Sequence, residues 1–350
     1  MSSQGPADAR IGVTVLTGFL GSGKTTLLNR LVREPRFAQS AVVINEFGSI
    51  GIDHHLVRHV ADNVRVVEGG CICCMVRGGL ADTLRDLFLL ALRRAIQPFR
   101  HVLIETSGLA SPAPVLFTLR HEHFLTERYV YEGTIAVADA QRVIGQIASE
   151  PDAAQQLALA DDIVISKSDL VSPAQVSDAS NAVLRLNPAA HVHVLDPQGP
   201  PPAALLAQRL YRGQPSAAAD GTPWLGRYTR GAWPGARGAA PAGAPHDVAV
   251  AVLTLPASVS RAAFLRGMSA LQAELGASLL RMKGLVRFEG DVAPSAVHAV
   301  HDQLYPFVAL SEWPEDESDA RLVFIARGLA AEELDKRVRL HLGLGQLGGG

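Results

Sequence analysis

The chain has 350 residues, 48% hydrophobic and 19% charged, which excludes an intrinsically disordered protein and leaves room for about two domains. A net charge of -2, from 32 basic and 34 acidic residues, gives no electrostatic case for a nucleic acid or an anionic membrane as partner. The 3 cysteines all fall between Cys71 and Cys74, which excludes a disulfide framework and points to a reducing, cytoplasmic setting with metal or redox chemistry.

Met1 to Arg10 is polar, contains Pro6 and Asp8, and lacks the apolar stretch of a secretory signal, so it reads as a flexible terminus. No apolar run reaches the roughly 18 residues of a membrane span. Leu87 to Ile96 comes nearest and is broken by Arg93 and Arg94. Residues 11–212 alternate between strand-like and helical segments. The strand-like runs are Ile11–Leu16, Ala41–Ile44, Val64–Val67, Val102–Ile104, Thr134–Val137, Ile163–Ile165 and Val192–Leu195. Leu80, Leu84, Leu87 and Ala91 share one helical face. This alternation predicts an α/β fold with a mostly parallel sheet covered by helices on both faces, binding ligands at the carboxyl ends of its strands.

The first strand runs into Gly18-Phe19-Leu20-Gly21-Ser22-Gly23-Lys24-Thr25-Thr26, the G-x-x-x-x-G-K-[ST] pattern of a P-loop NTPase, and a helical pattern follows from Leu27. Gly18, Gly21 and Gly23 let the backbone wrap with its N–H groups turned inward, and those donors, with Ser22 and Thr26, cradle phosphates. Lys24 is expected to reach the β and γ oxygens, and the Thr25 hydroxyl to hold Mg²⁺. A second carboxylate is supplied by Glu105, which ends the apolar strand at His101–Ile104, and Gly108 then offers its N–H to the γ-phosphate. Ser166-Lys167-Ser168-Asp169 follows another strand and fits the N/S/T-K-x-D pattern that reads guanine. One carboxylate, Asp169, accepts both donors of the guanine edge, while the Lys167 stem covers the ring face. Ser166 stands where Asn is usual, which weakens one supporting hydrogen bond.

Between these motifs lie two segments suited to sensing and metal capture. Asn45-Glu46-Phe47-Gly48 through Asp53 follows the second strand, where a P-loop switch senses the γ-phosphate. Glu46 is a candidate fourth metal ligand or switch residue, and Asp53 a candidate acid beside Mg²⁺. Cys71-Ile72-Cys73-Cys74 precedes a helix and lies near Arg77, a setting that favours thiolate. Three thiolates suit Zn²⁺, Co²⁺ or Cu(I) with a position left for a fourth ligand. His54, His55 and His59 read as a solvated face. His121/His123 and His191/His193 alternate as in strands or loops and are read as structural.

From Gly213 to Pro245 the composition turns to Gly, Ala and Pro, which predicts a linker, with Trp224, Tyr228 and Trp233 anchoring it to a domain surface. Periodicity returns at His246. Strands are expected at Val248–Leu255, Leu279–Phe288 and Leu322–Ile325, and helices at Arg261–Leu275 and Ala331–Leu340. That is a smaller C-terminal α+β domain over residues 246–342, followed by a Gly-rich tail, 343–350.

Taken together, GFLGSGKTTLLNRL, VVINEFGSIGID, GGCICC, VLIETSGLASP and SKSDL resemble the CobW-type GTPase metallochaperone family, and RMKGLVRF and RLVFIARGL resemble its second domain. The resemblance implies a GTPase that loads a metal at Cys71, Cys73 and Cys74, with Glu46 near them, and delivers it to a client metalloprotein. It implies nucleotide roles for Gly21 through Thr26, Glu105, Lys167 and Asp169, with GTP, Mg²⁺ and Zn²⁺ or Co²⁺ as the ligands. Intrinsic turnover is expected to be slow, since neither a water-positioning Gln nor a built-in Arg finger stands out. Two departures are Ser166 and the junction, where His246 replaces a His-rich run. The competing readings are a nucleotide-dependent activator of a partner enzyme without metal transfer, and a small-molecule kinase, against which the SKSD element argues.

Overall fold

A computed structural model describes residues 10–37, 40–45, 65–67, 79–205, 248–310, 313 and 320–344. Among them, seven strands build one sheet in the order β3-β2-β4-β1-β5-β6-β7: Ile11–Thr17 (β1), Ser40–Asn45 (β2), Arg65–Val67 (β3), His101–Thr106 (β4), Tyr129–Asp139 (β5), Asp162–Ser166 (β6) and His191–Val194 (β7). Every pairing is parallel. The α/β expectation therefore holds, with a strand at each of the apolar runs.

The helices of this half are Lys24–Leu31 (α1), Leu80–Leu92 (α2), Ala113–His121 (α3), His123–Arg128 (α4), Val143–Ser149 (α5), Pro151–Ala158 (α6) and Pro173–Leu186 (α7). Side-chain alternation along each strand divides them between two faces. Val13, Val15, Val102 and Ile104 pack with Leu84 and Leu87 of α2 and Val183 of α7. Their neighbours Leu16, Val42, Leu103 and Ile135 pack with Leu27, Leu28 and Leu31 of α1. α7 starts where it does because Ser172 and Gln175 form a reciprocal capping box ahead of Pro173. His121 and His123 lie at a helix end and a helix start, not in a strand or loop, because the apolar spacing of Val115, Leu116 and Leu119 is helical. His191 and His193 do lie on a strand, and His193 Nε2 sits 2.7 Å from Asp162 Oδ1.

The second half holds an antiparallel sheet ordered β11-β10-β9-β13-β8, with β12 on β10. Its strands are Val248–Thr254 (β8), Leu279–Val286 (β9), Ser295–Val300 (β10), Gln303–Leu304 (β11), Val308–Ala309 (β12) and Arg321–Arg327 (β13). Arg261–Leu275 (α8) and Ala331–Leu342 (α9) cover one face through Phe264, Met268, Leu271, Leu334 and Val338. The other face is closed by the first half. Leu280, Val300, Tyr305, Val323 and Ile325 belong to the same apolar cluster as the core between the parallel sheet and α2 to α7.

Charges are buried at this seam. Arg281 Nη1 donates to the Leu159 carbonyl at 2.6 Å, and Nη2 pairs with the Asp161 carboxylate. Lys283 Nζ donates to the Ala189 carbonyl at 3.2 Å and lies 3.9 Å from Asp161. Asp161 also accepts from the Tyr131 hydroxyl at 2.9 Å and the Thr134 amide at 3.0 Å. Burial alone would raise the Asp161 carboxyl, but Arg281, Lys283 and these two donors outweigh it and hold it below the ordinary carboxylate range. Burial pulls Lys283 down to about 8 against the attraction of Asp161. Among the described residues no helix is long and apolar enough to cross a membrane.

Candidate nucleotide site

The expected phosphate loop lies between β1 and α1, at the carboxyl end of the sheet. Gly18, Gly21 and Gly23 all take positive φ, at 140°, 70° and 98°. Gly18 is the tightest of them, since a Cβ there would stand 2.4 Å from the Val137 carbonyl oxygen. Gly23 caps α1 in the left-handed region, and no side chain caps the first amides of that helix. Those amides and the positive end of the helix form a cradle for an anion. Ser22 is buried, while Gly21 and Thr26 face outward. Lys24 is 8% exposed, and its Nζ donates to the Gly18 carbonyl at 2.9 Å and the Phe19 carbonyl at 3.3 Å. The ammonium thus lies against the loop that it would help to fill.

β4 delivers its carboxylate to the same place. Thr25 Oγ1 donates to Glu105 Oε1 at 2.8 Å, although 80 residues separate them. A hydroxyl beside a carboxylate, both oxygen ligands, matches what a hard divalent cation takes, so the pair fits Mg²⁺. The strand ends are tied together by Thr106 Oγ1, which donates to Thr17 Oγ1 at 2.9 Å. Beyond them Gly108 abuts the loop so closely that a Cβ would lie 2.6 Å from Leu20 Cδ2. α1 also lines a cleft of about 270 Å³ with Thr25, Thr26, Asn29, Arg30 and Arg33.

The base motif closes the far side. Ser166, the last residue of β6, donates from Oγ to the Ser22 carbonyl at 2.6 Å and lies 3.2 Å from the Ala138 carbonyl. Ser166 thus makes a hydrogen bond directly onto the phosphate loop. Lys167 takes φ 54° and ψ 35°, and its Nζ donates to Asp139 Oδ2 at 2.7 Å. Asp169 projects from the 3-10 turn Ser168–Leu170 and is exposed. Ser168 Oγ donates to the Leu195 carbonyl at 3.0 Å, which ties this turn to the segment after β7. Arg30 of α1 supports that segment, donating to the carbonyls of Asp196 (2.6 Å), Pro197 and Gly199 (3.4 Å).

Gly18, Gly21, Ser22, Gly23, Lys24, Thr25, Thr26, Glu105, Gly108, Lys167 and Asp169 are thus gathered around one end of the parallel sheet. Glu46, Asp53, Cys71, Cys73 and Cys74 lie outside the described residues, as do His246 and the 213–245 segment. Among the described residues no group of three or more His, Cys, Asp or Glu is placed to hold a metal. Sequence reasoning missed Asp139, Arg30 and the bridge from Ser166 to Ser22. Only Asp139 had a signal, as a carboxylate ending an apolar strand.

Residues 12–194 match the model of the CobW/HypB/UreG nucleotide-binding domain, and residues 248–340 that of the cobalamin synthesis protein cobW C-terminal domain. The chain belongs to the CobW/HypB/UreG family. Within this family, the zinc chaperone YjiA of Escherichia coli is 38% identical over 165 residues, covering 47% of this chain and 52% of its own. The zinc-regulated GTPase metalloprotein activator 1 of Schizosaccharomyces pombe is 29% identical over 184 residues, covering 51% and 44%. The chain therefore spans about half the length of the curated relatives it matches. In three dimensions it is similar to the crystal structure of the Zn(II)-bound YjiA GTPase, with a TM-score of 0.68 and 26% identity over 96% of this chain and 99% of that one. The CobW-type resemblance of the motifs and the P-loop fold with its added antiparallel domain both stand on these matches.

Proposed function

We propose that this chain is a GTP-hydrolysing metallochaperone that carries Zn²⁺ on Cys71, Cys73 and Cys74, with Glu46 as a further ligand, and delivers it to a client metalloprotein. The observation that carries the reading is the 2.8 Å contact between Thr25 and Glu105 beneath the phosphate loop. It brings together, from distant parts of the chain, a hydroxyl and a carboxylate suited to a nucleotide-bound cation. The zinc chaperone YjiA and the zinc-regulated activator support the cargo.

Thr25 and Glu105, with Asp53 as a further acid, would hold Mg²⁺, which would supply positive charge against the phosphates. The rest belongs to this chain's own residues. Lys24 leaves the carbonyls of Gly18 and Phe19 for the phosphate oxygens. The loop amides and the start of α1 bind the remaining phosphate charge. Asp169 accepts from the guanine edge, and Asp139 sets Lys167 so that its stem covers the ring. Hydrolysis releases the metal from Cys71, Cys73, Cys74 and Glu46 to the client, through the nucleotide-dependent surface and the second domain. Co²⁺ competes for the same thiolates, and selection between the two follows their supply. Three cysteines crowded into four residues suit a reducing compartment, which supports assigning this cycle to the cytoplasm.

The test is titration of the whole chain with GTP, GDP and ATP, with and without Mg²⁺, followed by zinc titration of each loaded form. GTP is expected to bind in preference to ATP, and zinc to bind more tightly with a GTP analogue than with GDP, since coupling is reciprocal. Replacing all three cysteines by Ser is expected to abolish tight zinc binding. Zinc affinity indifferent to the nucleotide would end the coupling. Partner activation that survives the triple replacement would favour the activator without metal transfer.

A further inference from the structure

The segment after Glu105 is held from two sides. On one side Gly108 presses against Leu20 of the phosphate loop. On the other, Gln156 of α6 donates from Nε2 to the Gly108 carbonyl at 3.1 Å and the Ala110 carbonyl at 3.0 Å. Gln156 is fully buried, 0% exposed, and lies 48 residues from Gly108. Between the two held carbonyls, Leu109 faces solvent, and the turn closes with the Ala110 amide on the Ser107 carbonyl at 3.1 Å. A buried amide spending both hydrogens on one loop costs desolvation unless the loop stays in place.

The helix that carries Gln156 is itself fixed. The last carbonyls of a helix have no partner within it. Here Asn187 Nδ2 reaches those of Leu157 (2.8 Å) and Ala158 (3.2 Å), and that of Ala160 just beyond the helix (2.9 Å). Arg281 of the second domain takes that of Leu159 at 2.6 Å. Gln156 is thus a fixed support for the segment from Ser107 to Ala110.

We propose that Gln156 is a positioning residue for GTP turnover, holding Gly108 at the γ-phosphate end of the site from a helix that the second domain clamps. This rests on the GTPase reading above and adds a residue with no expected contact to nucleotide. GDP has no γ-phosphate to meet Gly108, so the effect should divide between the two nucleotides.

The experiment uses the full chain with Gln156→Met, which keeps the length of the side chain and removes both N–H donors. Thermal unfolding checks the fold, and steady-state hydrolysis and nucleotide titration follow. We expect kcat to fall about tenfold, the scale of two lost hydrogen bonds at a site that must be set for reaction. GTP affinity is expected to fall several-fold and GDP affinity to stay as in the parent. If kcat and GTP affinity remain within about twofold of the parent, the proposal is overturned and the GTPase reading stands. Equal losses for GTP and GDP mark a merely structural role and overturn it as well. A parent chain that binds no guanine nucleotide removes the reading and this inference together. Should the variant fail to fold, hydrogen exchange on the parent decides. A GTP analogue, and not GDP, is expected to slow exchange in peptides covering 106–112 while 151–160 stays slow in every state; fast exchange of 151–160 without nucleotide, or equal slowing of 106–112 by GDP, contradicts the proposal.

Discussion

Ser166 shows how one hydroxyl can stand in for a longer amide. Its Oγ–H has one proton, and the 2.6 Å contact to the Ser22 carbonyl is the shorter of its two. That bond joins β6 to the phosphate loop, so under the proposed function it bears on both ends of a nucleotide. Ser166→Ala leaves a buried carbonyl of the loop without this donor, which costs about 1–3 kcal/mol. The expected outcome is a lower melting temperature and weaker binding of GTP and GDP alike, read by calorimetry. An unchanged affinity for both would detach Ser166 from the site. The residues of the phosphate loop were legible in the sequence because their chemistry fixes their spacing: Gly18 cannot carry a Cβ, and Lys24 and Thr25 must follow Gly23. Asp139, Arg30 and Gln156 were not legible. Each finds its partner through the fold, and Arg30 and Gln156 bind only backbone carbonyls, which every residue has.

At the scale of elements, the strands of the parallel sheet read well from sequence because both of its faces are covered, so their apolar runs are continuous. The second domain read less completely. Ser295–Val300 was missed although all six of its residues are buried, because Ser295, Ala296, His298 and Ala299 dilute the apolar signal. β9 was read as a strand, but nothing in its composition says why Arg281 and Lys283 interrupt it. They point away from α8 and α9 into the other half of the molecule. α6 also depends on its surroundings. It is short, and Asn187 at the end of α7 satisfies three carbonyls at its close. Asn187 is fully buried. Asn187→Ala removes that support and leaves a cavity, with an expected loss of about 2–4 kcal/mol, measurable by urea unfolding of the whole chain. A loss below about 0.5 kcal/mol would show that α6 closes without it.

For the molecule as a whole, the seam makes stability depend on pH. His298 of β10 stacks on Tyr305 with ring centroids 4.6 Å apart. Burial pushes its pKa down to about 3; Asp161 opposes this, while Arg281, Lys283 and Arg120 reinforce it. A depressed folded-state pKa means that stability is present above the unfolded value near 6.5 and is lost as pH falls toward 3. Between pH 7 and 5 the loss assigned to His298 is about 2 kcal/mol, at 1.36 kcal/mol for each pH unit below 6.5. Asp161 and Lys283 keep their charge throughout that window and add no slope. His298→Phe retains a ring against Tyr305 and is expected to flatten the stability profile over those two pH units relative to the parent. Parallel profiles would place the acid sensitivity elsewhere.

The guanidinium of Arg281 crosses from one half of the molecule to the other and is 1% exposed. Prying the halves apart would take both Arg281 and Lys283 away from Asp161, break their bonds to the Leu159 and Ala189 carbonyls, and expose Leu280, Val323 and Ile325 to water. Opening at that boundary is opposed by the apolar surface it would uncover, about 25 cal/mol for each Å². A partner that grips the second domain therefore pulls on side chains of β9 that reach Leu159 and Asp161, close in the chain to the helix that bears Gln156.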